Sequence, residues 1–380
     1  MRGLTSAILS ISLLTVMAGA AMAPALAVIR SHFADQNPIV VQLIVSLPAL
    51  FIIATTFLFR PLCRLMPTRT LALTGLLLYV LAGAGAFFAA DITFLLLMRA
   101  LLGVSVGLIM PLSTGLLSYY FPPEAQGHMM GLSAAMNQAG GVVATLLAGL
   151  LASIDWNYPF LVYLIGLIAV ALVIVFLPSE YLATSGTRIR LASLVRFHPS
   201  VTAMLFIMIL FFIYPTNFAL TAQQQGLTTL ATTLIMVGLD VVALFVGLAF
   251  GWLMRRFRRQ MKYAAPLGFF AGYAVLAFFP SLGGMLAGSA LIGLANGVGV
   301  PYVNTIASIK GGREAAITVM PLISAALYLG QFISPLIVTP LASLFGGTNA
   351  PYLVAVAIAF LFLAQAYLTR SHHALPPAES

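Results

Sequence analysis

Two ionisable side chains, Arg99 and Asp240, fall well inside apolar stretches long enough to lie in lipid, and these are the positions where charge could do work. A cation near the centre of a bilayer costs at least about 3 kcal/mol on insertion scales, so such residues face a bundle interior or a wet cavity and mark a pathway. Asp240 sits about halfway along its stretch, roughly 18 Å from one end at the helical rise. Burial penalises the ionised form of a carboxylate there, which suits it to taking up and releasing a proton. Each residue also has a plainer use: Asp240 as a hydrogen-bonding group between helices, Arg99 as a side chain reaching out to the interface.

Polar residues at helical spacing form a second constellation. Tyr214, Asn217 and Thr221 are spaced i, i+3 and i+7 and share one face, as do Ser324, Tyr328 and Gln331 at i, i+4 and i+7. Asn296 and Asn304 flank Tyr302, and Asn137 with Gln138 opens a face of small residues. In lipid such stripes turn inward, either as interhelical hydrogen bonds worth about 0.6 kcal/mol each or as the lining of a substrate cavity. The other acids and all five histidines lie in loops or at edges, and the single Cys63 leaves no cysteine-based metal site. No paired carboxylates and no G-x-x-x-x-G-K-[ST] loop accompany them, so neither enzyme chemistry nor ATP hydrolysis is expected, and no cofactor or metal.

These side chains must be positioned by helices in a membrane. Of the 380 residues 62% are hydrophobic and 7% charged, with a mean hydropathy of +1.09, where soluble domains carry about a quarter charged residues. Runs of about 20 apolar residues, enough to cross roughly 30 Å of hydrocarbon, fall at approximately 4–29, 38–59, 69–90, 93–119, 128–152, 158–177, 200–222, 228–253, 263–280, 282–305, 315–339 and 350–369. The first run is longer than the hydrophobic region of a secretory signal and reads as a span. Twelve spans put both termini on one side. The loops on that side hold 15 of the 17 Lys and Arg residues and the opposite loops only Arg30, which makes the terminal side cytoplasmic. Although the net charge is +9, the cations are scattered over short loops, so nucleic acid is not an expected partner.

The chain also repeats itself at an offset of 190. Gly103, Gly107 and Pro111 recur as Gly293, Gly297 and Pro301; Glu124-Ala125 as Glu314-Ala315; Gly140 as Gly330; and Leu151-Ala152-Ser153 as Leu341-Ala342-Ser343. An even number of helices in each copy makes the copies parallel, a construction that places the substrate site at the interface of the halves near the midplane. The expected architecture is all-α: an N-terminal six-helix bundle over 1–177, a linker over 178–199 and a C-terminal six-helix bundle over 200–380.

The repeat, the twelve spans and the long central loop resemble the major facilitator superfamily. Leu95-x3-Arg99-x3-Gly103 is similar to the fourth-helix motif of its proton-coupled drug antiporters, which implies a part for Arg99 in proton coupling. Gly140-x3-Ala144-Thr145-x2-Ala148-Gly149 occupies the place of the antiporter motif g-x3-G-P-x2-G-G, with Ala for two glycines and Thr for the proline, and Gly330-x3-Ser334-Pro335 keeps the small-then-Pro step in the repeat. In the loop after the second span, Arg60-Pro61-Leu62-Cys63-Arg64 puts arginine where the superfamily has Gly and Asp. Its copy, Gly251-Trp252-Leu253-Met254-Arg255-Arg256, again has arginine at the Asp position. The charge network that locks the cytoplasmic side in the family is therefore either rebuilt here or absent.

The resemblance implies a monomeric, multi-pass secondary transporter of the plasma (bacterial inner) membrane. Its partners would be a small-molecule substrate, protons and lipid. Proton-coupled efflux of an amphipathic compound is expected, with Asp240 and Arg99 in coupling. The cavity would draw on Arg99, Asn137, Gln138, Tyr214, Asn217, Asn296, Tyr302, Asn304, Tyr328 and Gln331. Import of a small organic anion held by Arg99, or a non-transporting receptor, are the alternatives. Sixteen methionines would suit an adaptable apolar surface.

Overall fold

A computed structural model of the chain describes residues 2–181, 191–257 and 260–369. The linker residues Arg188 and Arg190, the pair Arg258 and Arg259, and the tail from Arg370 lie outside the described residues. So do the side chains of Arg2, Arg60, Glu124, His128, Arg196, Lys310, Arg313 and Glu314.

The described residues form helices α1 (Arg2–Ala20), α2 (Leu26–His32), α3 (Pro38–Leu65), α4 (Thr68–Gly85), α5 (Ile92–Tyr120), α6 (Pro123–Ala152), α7 (Gly166–Phe176), α8 (Leu191–Gln224), α9 (Thr229–Phe257), α10 (Met261–Phe278), α11 (Leu282–Thr318), α12 (Met320–Phe345) and α13 (Ala350–Leu368), with no strand among them. A 3₁₀ segment, Tyr158–Ile165, leads into α7. Among the described residues twelve stretches are long and apolar enough to cross a membrane. Their outer faces carry bare apolar side chains such as Leu81, Val175, Leu248 and Phe360, a surface that water would not tolerate at this extent and lipid does.

Two spans differ from the hydropathy expectation. The first is not continuous: α1 stops at Ala20 and α2 starts at Leu26. Pro24 explains the break, because it has no N–H for the carbonyl of Ala20 and its ring would strike that oxygen. The expected run 315–339 is instead α12, Met320–Phe345, since α11 continues to Thr318. Polar residues mark the helix starts: the side chain of Asn37 accepts from the N–H of Ile39 and that of Asp91 from Phe94, satisfying otherwise orphaned donors.

Packing groups Met1–Gly186 with Pro215–Val237 as one unit and Thr187–Tyr214 with Gly238–Ser380 as another. In the first unit α5 lies so close on α3 that a Cβ on Gly103 would strike the carbonyl oxygen of Pro48, and one on Gly107 would come 3.0 Å from that of Ile52. In the second, a Cβ on Gly293 would sit 2.5 Å from the Leu239 oxygen on α9, and one on Gly297 2.7 Å from the Ala243 oxygen. Gly140 of α6 meets Leu13 of α1, and Gly330 of α12 meets Leu205 of α8. The small-residue positions repeated in the sequence are thus the same helix contacts made twice, and they allow backbones to approach where van der Waals packing is the driving force.

Candidate functional site

Arg99 is 1% exposed, and three of its nitrogens donate to neutral oxygens. Nε gives 2.6 Å to the carbonyl of Ile44, Nη1 2.7 Å to the Tyr163 hydroxyl, and Nη2 2.9 Å to the carbonyl of Ala18. Tyr163 itself donates to the Ala18 carbonyl at 2.9 Å, and its ring centroid lies 5.8 Å from the guanidinium carbon. Each acceptor has a local cause. The helical partner of the Ile44 carbonyl would be the N–H of residue 48, which is proline and has none. Ala18 lies in the last turn of α1, where carbonyls lack intrahelical donors and the helix dipole presents partial negative charge. A broken helix and a helix with an internal proline thus make two free carbonyls, and one planar guanidinium with fixed donor directions satisfies both.

Tyr79 of α4 packs edge-on against Tyr163, ring centroids 5.5 Å apart, and donates 3.2 Å to the carbonyl of Leu14. The second unit repeats this frame. Tyr273 of α10 donates to the carbonyl of Leu210 and stacks with Tyr352 at 6.1 Å. The position matching Arg99 at the offset of 190 is Ser289, whose hydroxyl is 2.7 Å from that of Tyr214. Asp240 stands close enough to Tyr214 to interact with it electrostatically. It is half-buried, in the turn of α9 that Gly293 allows α11 to approach. One copy of the frame holds a cation with each of its three nitrogens hydrogen-bonded to protein; the other holds hydroxyls with a carboxylate beside them.

The remaining expected residues are distributed as follows. In the first unit, Asn137 is half-buried and accepts from Thr15 at 2.8 Å through its side-chain oxygen, with Gln138 half-buried beside it. Asn217, 6% exposed, accepts from Gln42 at 3.0 Å through its side-chain oxygen. In the second unit, Tyr214 is 2% exposed, Asn304 and Tyr328 are half-buried, and Gln331 is 4.0 Å from the sulfur of Met208. The side-chain oxygen of Asn296 is buried without a hydrogen-bond donor among the described residues. Tyr302 lines a separate cavity of about 100 Å³ among α8, α10, α11 and α13.

Several polar partners escaped the sequence reading. Gln42, Ser12 with Ser133 at 2.8 Å, and Ser289 are isolated polar residues on otherwise apolar faces. Only the offset of 190 could have singled out Ser289. Among the described residues no cluster of three or more His, Cys, Asp or Glu is placed to hold a metal. Burial pushes the Cys63 thiol up to about 11, which argues against a reactive nucleophile.

The sequence pattern of the Major Facilitator Superfamily matches residues 8–335. Over 121 residues the chain is 31% identical to the niacin transporter NiaP of Acinetobacter baylyi, covering 31% of this chain and 28% of that one. Over 89 residues it is 29% identical to multidrug resistance protein 3 of Bacillus subtilis, covering 23% and 17%. The chain therefore spans less than a third of the length of either relative. Among solved structures, a bacterial homologue of the human lysosomal transporter Spinster, inward-facing and occupied, aligns with a TM-score of 0.82 at 14% identity over 96% of this chain and 95% of that one. The nucleoside transporter NupG gives 0.74 at 12% identity over 96% and 98%. On the strength of the pattern matched over residues 8–335, this chain belongs to the Major Facilitator Superfamily.

Proposed function

We propose that the protein exports small amphipathic molecules, neutral or cationic, in exchange for protons. The observation that carries this reading is the contrast between the two charges within the spans. The guanidinium of Arg99 spends its donors on protein oxygens at 1% exposure, while Asp240 is half-buried beside a pair of hydroxyls. A group that must change its protonation during a cycle needs polar neighbours that tolerate both forms and a position that is not fully sealed, and Asp240, half-buried near the Tyr214 hydroxyl, suits that need. Protonation neutralises it; loss of the proton recreates a negative charge that favours a cation or a polar neutral group nearby. The repeats 1–177 and 200–380, joined through 178–199, would rock about the site as a monomer in the plasma membrane with both termini cytoplasmic.

Ethidium efflux from everted vesicles under an imposed pH gradient tests the reading. Wild-type vesicles should accumulate the dye faster when the gradient is applied, and Asp240→Asn vesicles should not respond to it. A gradient response of equal size in the variant removes Asp240 from coupling. The second reading, movement of a small organic anion, draws on the similarity to a niacin transporter. Nicotinate flux in the same vesicles that vanishes in Arg99→Gln, with the variant folded, would favour it over ours.

A further inference from the structure

At one end of the second unit, where α8 and α10 start and α11 and α13 finish, the cavity that takes Tyr302 has walls of two kinds. Ala203, Ile207, Val303 and Phe362 make its apolar side; Lys262, Ser200 and Tyr302 bring a cation and two hydroxyls. Lys262 is half-buried, its ammonium 4.6 Å from the centroid of the Tyr263 ring. Asp240 is the acid of this unit whose side chain is described. It lies 17 residues before the end of α9, about 25 Å along the helix, so among the described residues Lys262 has no carboxylate to neutralise it. Neither the Ser200 nor the Tyr302 hydroxyl has a hydrogen-bond partner among the described residues. Arg255 and Arg256, at the end of α9, are exposed on the same end of the unit.

A half-buried cation without an anion, next to idle hydroxyls and an apolar wall, is a receptor for a negatively charged group with a hydrophobic attachment. The cavity is small, with a volume of about 100 Å³. It admits a phosphate ester and the first carbons attached to it, while whole acyl chains must remain in the bilayer. Basic pockets between membrane helices at the headgroup level take anionic lipids for this reason. We infer that this cavity is a binding site for the phosphate head of an anionic phospholipid, held by Lys262 with the hydroxyls of Ser200 and Tyr302. The site is separate from the proposed exchange of substrate for protons and does not depend on it.

The test uses the purified full-length chain, delipidated in neutral detergent and titrated with short-chain phosphatidylglycerol, with phosphatidylcholine of the same chain length, and with inorganic phosphate. Thermal unfolding and native mass spectrometry are the readouts. Phosphatidylglycerol should raise the unfolding midpoint and stay bound as a single lipid, while the other two should not. Lys262→Gln, a change at the cavity mouth that leaves the helices intact, should weaken phosphatidylglycerol about tenfold, the scale of one charge-assisted contact. Ala203→Phe, which fills the cavity, should abolish the bound lipid, and the double variant Arg255→Gln/Arg256→Gln should retain it. The inference is overturned if Lys262→Gln leaves phosphatidylglycerol unaffected, if the Arg255 and Arg256 pair carries the effect instead, or if inorganic phosphate stabilises as well as the lipid does.

Discussion

Replacing Arg99 by Met tests whether this arginine holds the scaffold together. The loss can be worked from its contacts. The Ala18 carbonyl keeps the Tyr163 hydroxyl as donor, but the Ile44 carbonyl loses its Arg99 donor and Pro48 cannot replace it. A buried polar group left unsatisfied costs about 1–3 kcal/mol. Methionine fills most of the volume, and removing a buried charge returns part of its desolvation cost, so the net loss should be about 1–3 kcal/mol. The structure offers a specific rescue: Pro48→Ala restores a backbone N–H four residues after Ile44, the normal helical donor. In the Arg99→Met background this should recover about 1 kcal/mol, whereas in wild type, where the carbonyl already accepts from Arg99, the same change should gain less. Unfolding in mixed micelles with rising SDS, measured for the four proteins of the cycle, gives the coupling. A loss below about 0.5 kcal/mol for Arg99→Met, or an equal effect of Pro48→Ala in both backgrounds, would refute this account of Arg99.

Other outcomes follow from the same geometry. Gly293→Ala puts a Cβ 2.5 Å from the Leu239 carbonyl and should cost about 1–3 kcal/mol while lowering transport, since the turn it displaces carries Asp240; Gly283→Ala, which meets nothing within 4 Å, should stay within about 0.5 kcal/mol. Gln42→Leu removes the donor that reaches Asn217 at 3.0 Å and should cost about 1–2 kcal/mol, part of which Asn217→Leu returns in the double variant. Cys63, raised from an ordinary 9.0 to about 11, should resist iodoacetamide in the native protein at pH 8 and react once SDS unfolds it; because the folded value is the higher one, its contribution to stability is complete below pH 9 and fades as pH rises towards 11.

Much of the architecture was legible in the residues. Hydropathy marked twelve spans because lipid admits so few alternatives to apolar helices, and the spacing of Gly103, Gly107, Gly293 and Gly297 pointed to close helix contacts that α3 with α5 and α9 with α11 do make. The break in the first span was visible only as Pro24, and a proline in a membrane helix can kink it as well as end it. Arg99 stood out as a charge, but the sequence does not display backbone carbonyls, so its acceptors were hidden. One of them could have been anticipated, since Pro48 leaves the carbonyl of Ile44 without a donor. Tyr163 and Tyr79 passed as ordinary aromatics because nothing local ties them to an arginine in another helix. Tyr302 was placed by its asparagine neighbours in the polar stripe, yet it lines the cavity beside Lys262, since side chains two apart on a helix face different ways.

The most direct test of the account is whether substrate and protons move together through Asp240. Proteoliposomes carrying the purified protein and an entrapped pH dye, challenged with ethidium, should show proton movement opposite to the ethidium gradient in wild type and none in Asp240→Asn. Ethidium flux without any proton movement in wild type, or undiminished proton movement in the variant, would contradict it.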